Sequence, residues 1–346
     1  MLNVAVLAST GAVGQRFVQL LDGHPWFKVT ALTGSERTAG RKYGEACNWM
    51  LATPMPDWAS HMPVLPTGPG LDATICFSGL PTDQAKEFEP ALARAGHIVV
   101  SNASAHRMWP DVPLLIPEVN ADHTGLIATQ RAARGWSGAI VTNPNCTATG
   151  LTIALRPILD EFGIRRLTAF SMQALSGAGY PGVASLDVLD NVLPYIGNEE
   201  SKVETEPQKM LGRRHGGAIH HAAFQTSAHT NRVSVSDGHT VCASIELETK
   251  GTPADVSRVL AAFQAPEIVR GLPSAPARTI EVRDEPDRPQ PRRDRDAGKG
   301  MTTVVGRVRR DPLFDVKLVV LSHNTIRGAA GGALLNAELL AAQGLV

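Results

Sequence analysis

The sequence predicts an α/β protein whose first 145 residues form a doubly wound parallel sheet. Three observations carry that expectation. The chain opens on a short apolar run, Leu2-Asn3-Val4-Ala5-Val6-Leu7-Ala8, followed by a glycine-bearing turn and a helical apolar pattern. Strand, turn and helix in that order make the opening of a dinucleotide-binding fold. Apolar runs of strand length then alternate with helical patterns, as in a parallel sheet with crossover helices. At 346 residues the chain is longer than one ordinary core and suits two domains.

The first turn reads Ser9-Thr10-Gly11-Ala12-Val13-Gly14, and the helix after it carries Phe17, Val18, Leu20 and Leu21. Glycines there let a pyrophosphate approach backbone N–H groups at the helix N-terminus, although the segment also reads as a plain tight turn. The second strand, Lys28 to Leu32, leads into Thr33-Gly34-Ser35-Glu36-Arg37-Thr38. An acidic residue ending that strand would hold a ribose 2′-hydroxyl. Ser35 and Arg37 instead suit a 2′-phosphate, with Glu36 between them working against it, and Arg37 is equally readable as a solvated loop charge. Leu71 to Phe77 is a further buried-strand run, and Ser78-Gly79 follows it at a strand end where such sheets bind ligands. A helix from Thr82 to Ala95 and a strand from His97 to Ser101 continue the alternation. The next loop carries His106, read as an exposed bystander. Beside it Arg107 could clamp an anion through two parallel hydrogen bonds or serve a surface ion pair.

An apolar strand, Gly138 to Thr142, then meets Asn143-Pro144-Asn145-Cys146-Thr147 and the helical pattern of Leu151, Ile153, Leu155, Ile158 and Leu159. Pro144 ends the strand, because it has no N–H for a ladder. Asn145 is a good N-cap. Cys146 falls in the first helical turn, where open N–H groups and the helix dipole favour a thiolate. The cysteine reads as a nucleophile with a lowered pKa or as a buried structural residue. A strand from Leu167 to Met172 ends at Gln173 and enters the glycine-rich stretch Ser176 to Gly182, a close-approach loop. Glu199 and Lys202 are three apart on a charged helical segment whose default reading is a solvated face. Arg232 and His239 flank an Asp237-Gly238 turn; His239 suits general acid/base work or a structural role. Residues 273–299, rich in Pro, Arg and Asp, read as a solvated loop. Strands follow at Thr302–Arg309 and Asp315–Leu321, and an Ala/Leu-rich helix covers Ala333 to Leu345.

Composition narrows the partners. With 33 basic and 33 acidic residues the formal charge is zero, and neither nucleic acid nor a membrane surface is expected. The four cysteines are far apart and make no disulfide framework or zinc motif; the adjacent His220 and His221 diverge on any regular element, so no metal site is expected. No basic n-region opens the chain and no apolar run reaches the ~18 residues of a span. A soluble, reducing, cytoplasmic setting is the expectation.

Taken together, Asn143-Pro144-Asn145-Cys146-Thr147, Gln173…Ser176-Gly177-Ala178-Gly179, Glu199-Glu200-Ser201-Lys202, Arg232…Asp237-Gly238-His239-Thr240 and Asn324…Arg327-Gly328-Ala329-Ala330-Gly331-Gly332 resemble the aspartate-semialdehyde dehydrogenases of archaea, fungi and some bacteria. The resemblance runs from Val4 to Glu338. It implies a discontinuous Rossmann domain (residues 1–145 and 325–346) and an α/β catalytic and dimerisation domain (146–324). It implies reversible, NADP-dependent reductive dephosphorylation of aspartyl β-phosphate to aspartate β-semialdehyde, serving lysine, threonine and methionine synthesis. Cys146 would form the thioester, Asn145 would help the Cys146 N–H hold the oxyanion, and His239 would move protons. Arg107 and Lys202 would hold phosphate, Arg232 the substrate carboxylate and Glu199 its ammonium, with Gln173 positioning it. Cofactor contacts would come from Ser9, Thr10, Gly11, Ala12, Val13, Ser35, Arg37, Thr38, Ser78, Gly79, Ser176, Gly177 and Asn324. A homodimer or homotetramer is implied. Ala8 departs from the family's usual glycine; its methyl is expected to sit in an extended strand end. Malonyl-CoA reductase, N-acetylglutamyl-phosphate reductase and a non-catalytic NADP-binding protein of the same fold are the alternatives.

Overall fold

The computed structural model describes residues 1–346. Six strands, β1 (Leu2–Leu7), β2 (Phe27–Gly34), β3 (Val64–Pro66), β4 (Ile75–Ser78), β5 (Ile98–Ser101) and β6 (Ala139–Thr142), pair in the order β3-β2-β1-β4-β5-β6. Every pairing is parallel. Every residue of β4, β5 and β6 is buried, as strands covered on both faces by helices must be. Crossover helices α1 (Ala12–Leu20), α2 (Thr82–Arg94) and α3 (Leu126–Arg134) supply that cover. The strand order reverses between β1 and β4, and the crevice at their C-terminal ends is the ligand-binding place of such a sheet.

The turn after β1 differs from expectation at one residue. Ala8 is not extended but left-handed, with φ +53°. The chain must double back there to start α1, and Gly14 packs so tightly under the turn that a Cβ on it would lie 2.3 Å from the Ala8 carbonyl oxygen. That conformation explains a preference for glycine at position 8.

A second sheet is built from later chain. Strands β7 (Ile164–Gln173), β10 (Gln225–Arg232), β11 (His239–Leu247), β12 (Ile280–Arg283), β13 (Thr303–Arg310) and β14 (Val316–Ser322) pair in the order β10-β7-β11-β14-β13-β12; β8 (Arg213–His215) and β9 (Ala218–His220) form a separate hairpin. Three helices accompany this region: α4 (Cys146–Phe162), α5 (Glu199–Met210) and α6 (Pro253–Ala262). Ile153, Leu155 and Ile158 of α4 share a core with Leu167, Val241 and Ile245 of the sheet. The final helix α7 (Gly331–Ala342) is buried from Gly331 to Leu340 and packs into the first core beside Val4 and Phe77. Its Ala and Leu residues fill that core on every side, and its two polar residues are buried with partners: Asn336 donates to the Leu115 carbonyl and Glu338 accepts from Ser274.

The stretch 273–299 is largely solvated, as its composition suggests, but it is not all loop. It supplies β12, and Asp294 is buried at 1% exposure while accepting from Arg288 and from the Gln290 N–H. Arg283 and Arg288 pair with this one buried carboxylate, while Asp284, Glu285, Asp287, Arg292, Arg293 and Asp296 remain exposed. No helix is long and apolar enough to cross a membrane.

Candidate active site

β6 delivers the chain to Pro144, and α4 starts immediately beyond it. The Asn145 side-chain oxygen accepts from the N–H groups of Thr147 (2.9 Å) and Ala148 (3.0 Å), and Thr149 N–H donates to the Asn145 carbonyl. Of the first-turn donors only the N–H of Cys146 is left without a protein acceptor. The half-buried Cys146 places Sγ 3.2 Å from Nε2 of His239. His239 opens β11 just past the Asp237-Gly238 turn, and the Ala174 N–H donates to its Nδ1 at 3.0 Å. A neutral ring that accepts at Nδ1 carries its proton on Nε2, facing the sulfur.

The lowered thiol pKa expected from helix position is not what the tertiary structure produces. Burial, then the nearby Glu199 carboxylate, push the Cys146 thiol up to about 12, outweighing the opposing Arg107 and Arg232. Burial and then Arg232 push His239 down to about 3. With the thiol raised and the imidazole lowered, the resting pair is thiol and neutral imidazole.

Around the pair, parts distant in sequence converge. Gln173 ends β7 and donates to Glu199 Oε1 at 3.2 Å; Asn145 Nδ2 donates to the same oxygen at 2.6 Å, and Lys202 Nζ lies 3.4 Å from Oε2. Arg232 ends β10 and anchors one nitrogen on the Ala174 carbonyl at 2.7 Å, leaving the rest of its fork without a protein acceptor. Arg107 is 7% exposed, its Nη1 on Glu206 (2.9 Å) and its Nη2 on the Asn102 carbonyl (2.7 Å). Both terminal nitrogens thus already hold a protein oxygen, so an anion would use their remaining hydrogens. The solvated face expected for α5 is a correction: Glu199, Glu206 and Lys209 are buried, because each meets a polar partner inside. His106 is likewise no exposed bystander; it is buried with Nε2 3.3 Å from the carboxylate of Glu89.

A cleft of about 580 Å³ joins these groups to the first sheet. Arg107, Asn145, Cys146, Gln173, Glu199, Lys202 and Arg232 line it, together with Ala12, Val13, Gly79, Ser176, Gly177 and Asn324. Asn324 ties the walls, donating to Ser176 Oγ and accepting from the Gly238 N–H, each at 2.8 Å. α1 begins at Gly11 with no side-chain cap and no acidic residue in its first turn, so its N–H groups are open to an anionic pyrophosphate. Two other predicted contacts face inward: Ser9 Oγ donates to the Thr33 carbonyl, and Ser78 Oγ to Glu89. Both residues are fully buried and hold their turns; the Ser9 N–H is also taken by the Thr33 carbonyl and the Ser9 carbonyl by the Tyr43 hydroxyl, so neither serine offers a ligand its side chain. Thr10 is part of the same turn, with its carbonyl taken by Gln15. Ser35 and Arg37 stand exposed past β2, while Thr38 folds back to donate to the Ser35 carbonyl.

Two family models match the chain. Residues 3–127 match the family described as semialdehyde dehydrogenase, NAD binding domain, and residues 155–327 the one described as semialdehyde dehydrogenase, dimerisation domain. The chain is 52% identical to the aspartate-semialdehyde dehydrogenase of Archaeoglobus fulgidus over 98% of this chain and 97% of that protein. It is 44% identical to that of Schizosaccharomyces pombe over 99% of both. The chain belongs to the aspartate-semialdehyde dehydrogenase family. A crystal structure of the Candida albicans family member with NADP superposes with a TM-score of 0.93 at 41% identity, covering 100% of each chain.

For a member of this family, the residues that sequence reading passed over are Ala174, Glu206 and Lys209. Ala174 fixes both the His239 tautomer and Arg232 through its own backbone, for which no side-chain signal exists. Glu206 and Lys209 do carry a signal: with Glu199 and Lys202 they recur at helical spacing on one face of α5.

Proposed function

We propose that this chain catalyses the NADP-dependent, reversible reductive dephosphorylation of aspartyl β-phosphate to aspartate β-semialdehyde in lysine, threonine and methionine biosynthesis. One observation carries the reading: the Cys146–His239 contact of 3.2 Å lies at the foot of a cleft lined by Arg107, Lys202, Arg232 and Glu199. Three cations and one carboxylate suit a substrate with a phosphate, a carboxylate and an ammonium.

In this reading Arg107 and Lys202 bind the phosphate, Arg232 takes the α-carboxylate with its free N–H groups, and Glu199 faces the ammonium while Gln173 positions both. Sγ forms the C–S bond as the C–O bond to phosphate breaks, and the thiol proton leaves with the phosphate. Because the resting thiol is not ionised, deprotonation accompanies attack instead of preceding it. The Cys146 N–H holds the carbonyl oxygen; Asn145 contributes by capping the other first-turn donors. The nicotinamide, when bound, supplies hydride. The Nε2–H of His239 hydrogen-bonds to the oxyanion that hydride addition leaves; on collapse the carbonyl re-forms as the C–S bond breaks, and one proton drawn from water is relayed through His239 to the departing thiolate, restoring the Cys146 thiol. The open start of α1 with Gly11, Ala12 and Val13 suits the pyrophosphate, Ser35, Arg37 and Thr38 the 2′-phosphate, and Gly79, Ser176, Gly177 and Asn324 the nicotinamide half.

The division into residues 1–145 with 325–346 and residues 146–324 belongs to the same proposal, supported by the packing of α7 in the first core. Self-association as a homodimer or homotetramer is supported by the exposed Phe170, Met172, Leu186, Leu189 and Tyr195. A cytoplasmic setting suits a reaction that needs Cys146 as a free thiol. The test is phosphate-dependent NADP reduction with aspartate semialdehyde against malonate semialdehyde. Aspartate semialdehyde should be strongly preferred, and Cys146→Ala should abolish turnover; malonate semialdehyde turned over as well, or a mutant above roughly a hundredth of wild-type kcat, defeats the proposal.

A further inference from the structure

Glu206 joins two parts of the cleft. Its carboxylate is 2% exposed and lies one turn beyond Lys202 on α5. Oε2 accepts from the backbone N–H of Asn145 at 2.6 Å, and Oε1 accepts from Arg107 Nη1 at 2.9 Å. The first bond has a recognisable purpose. In an ordinary capping box the N-cap side chain takes first-turn N–H groups, and a Glu or Gln three residues on returns a bond to the N-cap N–H. Asn145 performs the first half, but position 148 is alanine and cannot perform the second. Glu206 supplies it from another helix. Without that oxygen the Asn145 N–H would be a buried, unpaired donor directly before the nucleophile.

The second bond steadies Arg107, whose Nε has no partner. One turn on, Lys209 holds the same loop by donating to the carbonyls of Arg107, Trp109 and Val112 at 2.6, 2.7 and 2.9 Å. The loop bearing Arg107 and the turn bearing Cys146 are therefore referenced to one face of α5.

We infer that Glu206 is a positioning residue that sets the nucleophile helix and the Arg107 anion clamp relative to each other. The inference rests on the roles proposed above for Cys146 and Arg107. An amide at this place can accept one of the two bonds but turns an NH₂ towards the other donor, so Glu206→Gln breaks the linkage with little change in volume.

The experiment compares wild type, Glu206→Gln, Arg107→Leu and the double variant, with kcat expressed per reactive Cys146 thiol. Glu206→Gln should raise KM for phosphate about tenfold, as expected for a misplaced charge-assisted contact. It should lower kcat by a similar factor and leave KM for NADP unchanged. In the Arg107→Leu background it should add nothing to the phosphate KM but still lower kcat, because the Asn145 bond is independent of Arg107. A purely structural Glu206 would lower Tm and the reactive fraction without a selective phosphate effect, and that result overturns the inference. Independent, multiplying effects on phosphate KM overturn it too. If Arg107→Leu itself leaves phosphate KM unchanged, the role given to Arg107 fails, and the kcat arm alone decides whether Glu206 positions Cys146. Should Glu206→Gln not fold, Glu206→Asp keeps the charge but is one methylene too short to span both donors, and should show the same pattern.

Discussion

Replacing Gly177 by alanine probes how tightly the acid/base pair is held. A Cβ at this position would lie 2.8 Å from Arg232 Nη1, 2.9 Å from His239 Cε1 and 3.0 Å from His239 Nε2. Ordinary contact needs ~3.5 Å or more, so the neighbours must retreat by about half an ångström or more. Neither is a loose end: the Ala174 carbonyl holds Arg232 at 2.7 Å, and the Ala174 N–H holds the imidazole at 3.0 Å. The displaced ring lengthens the 3.2 Å contact to Sγ. A misplacement of about 1 Å costs around a hundredfold, so Gly177→Ala should lower kcat about ten- to a hundredfold and raise KM for the semialdehyde through Arg232. Steady-state kinetics with thiol titration measure the loss, and a thermal melt shows whether folding is spared. A mutant with wild-type kcat, or one whose loss tracks a collapsed Tm, would refute the reasoning.

Four further outcomes are expected. Because the thiol is raised to about 12, its thiolate fraction at neutral pH is small; alkylation of Cys146 in the free enzyme should rise about tenfold per pH unit from 7 to 10, and a plateau below pH 9 would contradict the burial argument. Arg232→Leu should raise KM for semialdehyde and Arg107→Leu mainly KM for phosphate, each by about tenfold or more; initial rates with each substrate varied separate them, and interchanged effects would reverse the assignment. Arg37→Ala should cost roughly 1.5–3 kcal/mol of NADP affinity with NAD little changed, and kcat/KM for both cofactors is the check. Ala8→Gly, at φ +53°, should stabilise the protein by about 0.5–1 kcal/mol, the relief of left-handed strain less the added unfolded-chain entropy; a urea midpoint that falls instead would show that the methyl packs usefully.

What the sequence determined by itself was whatever local chemistry dictates. The opening strand, turn and helix were legible because apolar period and glycine placement act over a few residues. The start of α4 at Cys146 was legible because Pro144 and Asn145 act on their immediate neighbours. Only the tertiary structure decided what depends on desolvation and on groups far along the chain. Helix position favours a Cys146 thiolate, yet burial and then the Glu199 carboxylate raise the thiol instead, both being effects of groups brought up by the fold. α5 shows only Val203, Pro207 and Met210 as a thin apolar line among its charges, so its pattern reads as solvated; Glu199, Glu206 and Lys209 are buried beside that line because Asn145, Gln173, Arg107 and three backbone carbonyls, all from other elements, meet them. Ala8 looks like one more strand residue until the turn that seats Gly14 forces its backbone left-handed. A buried charge or a strained angle is set by what packs against it, and no local pattern records that.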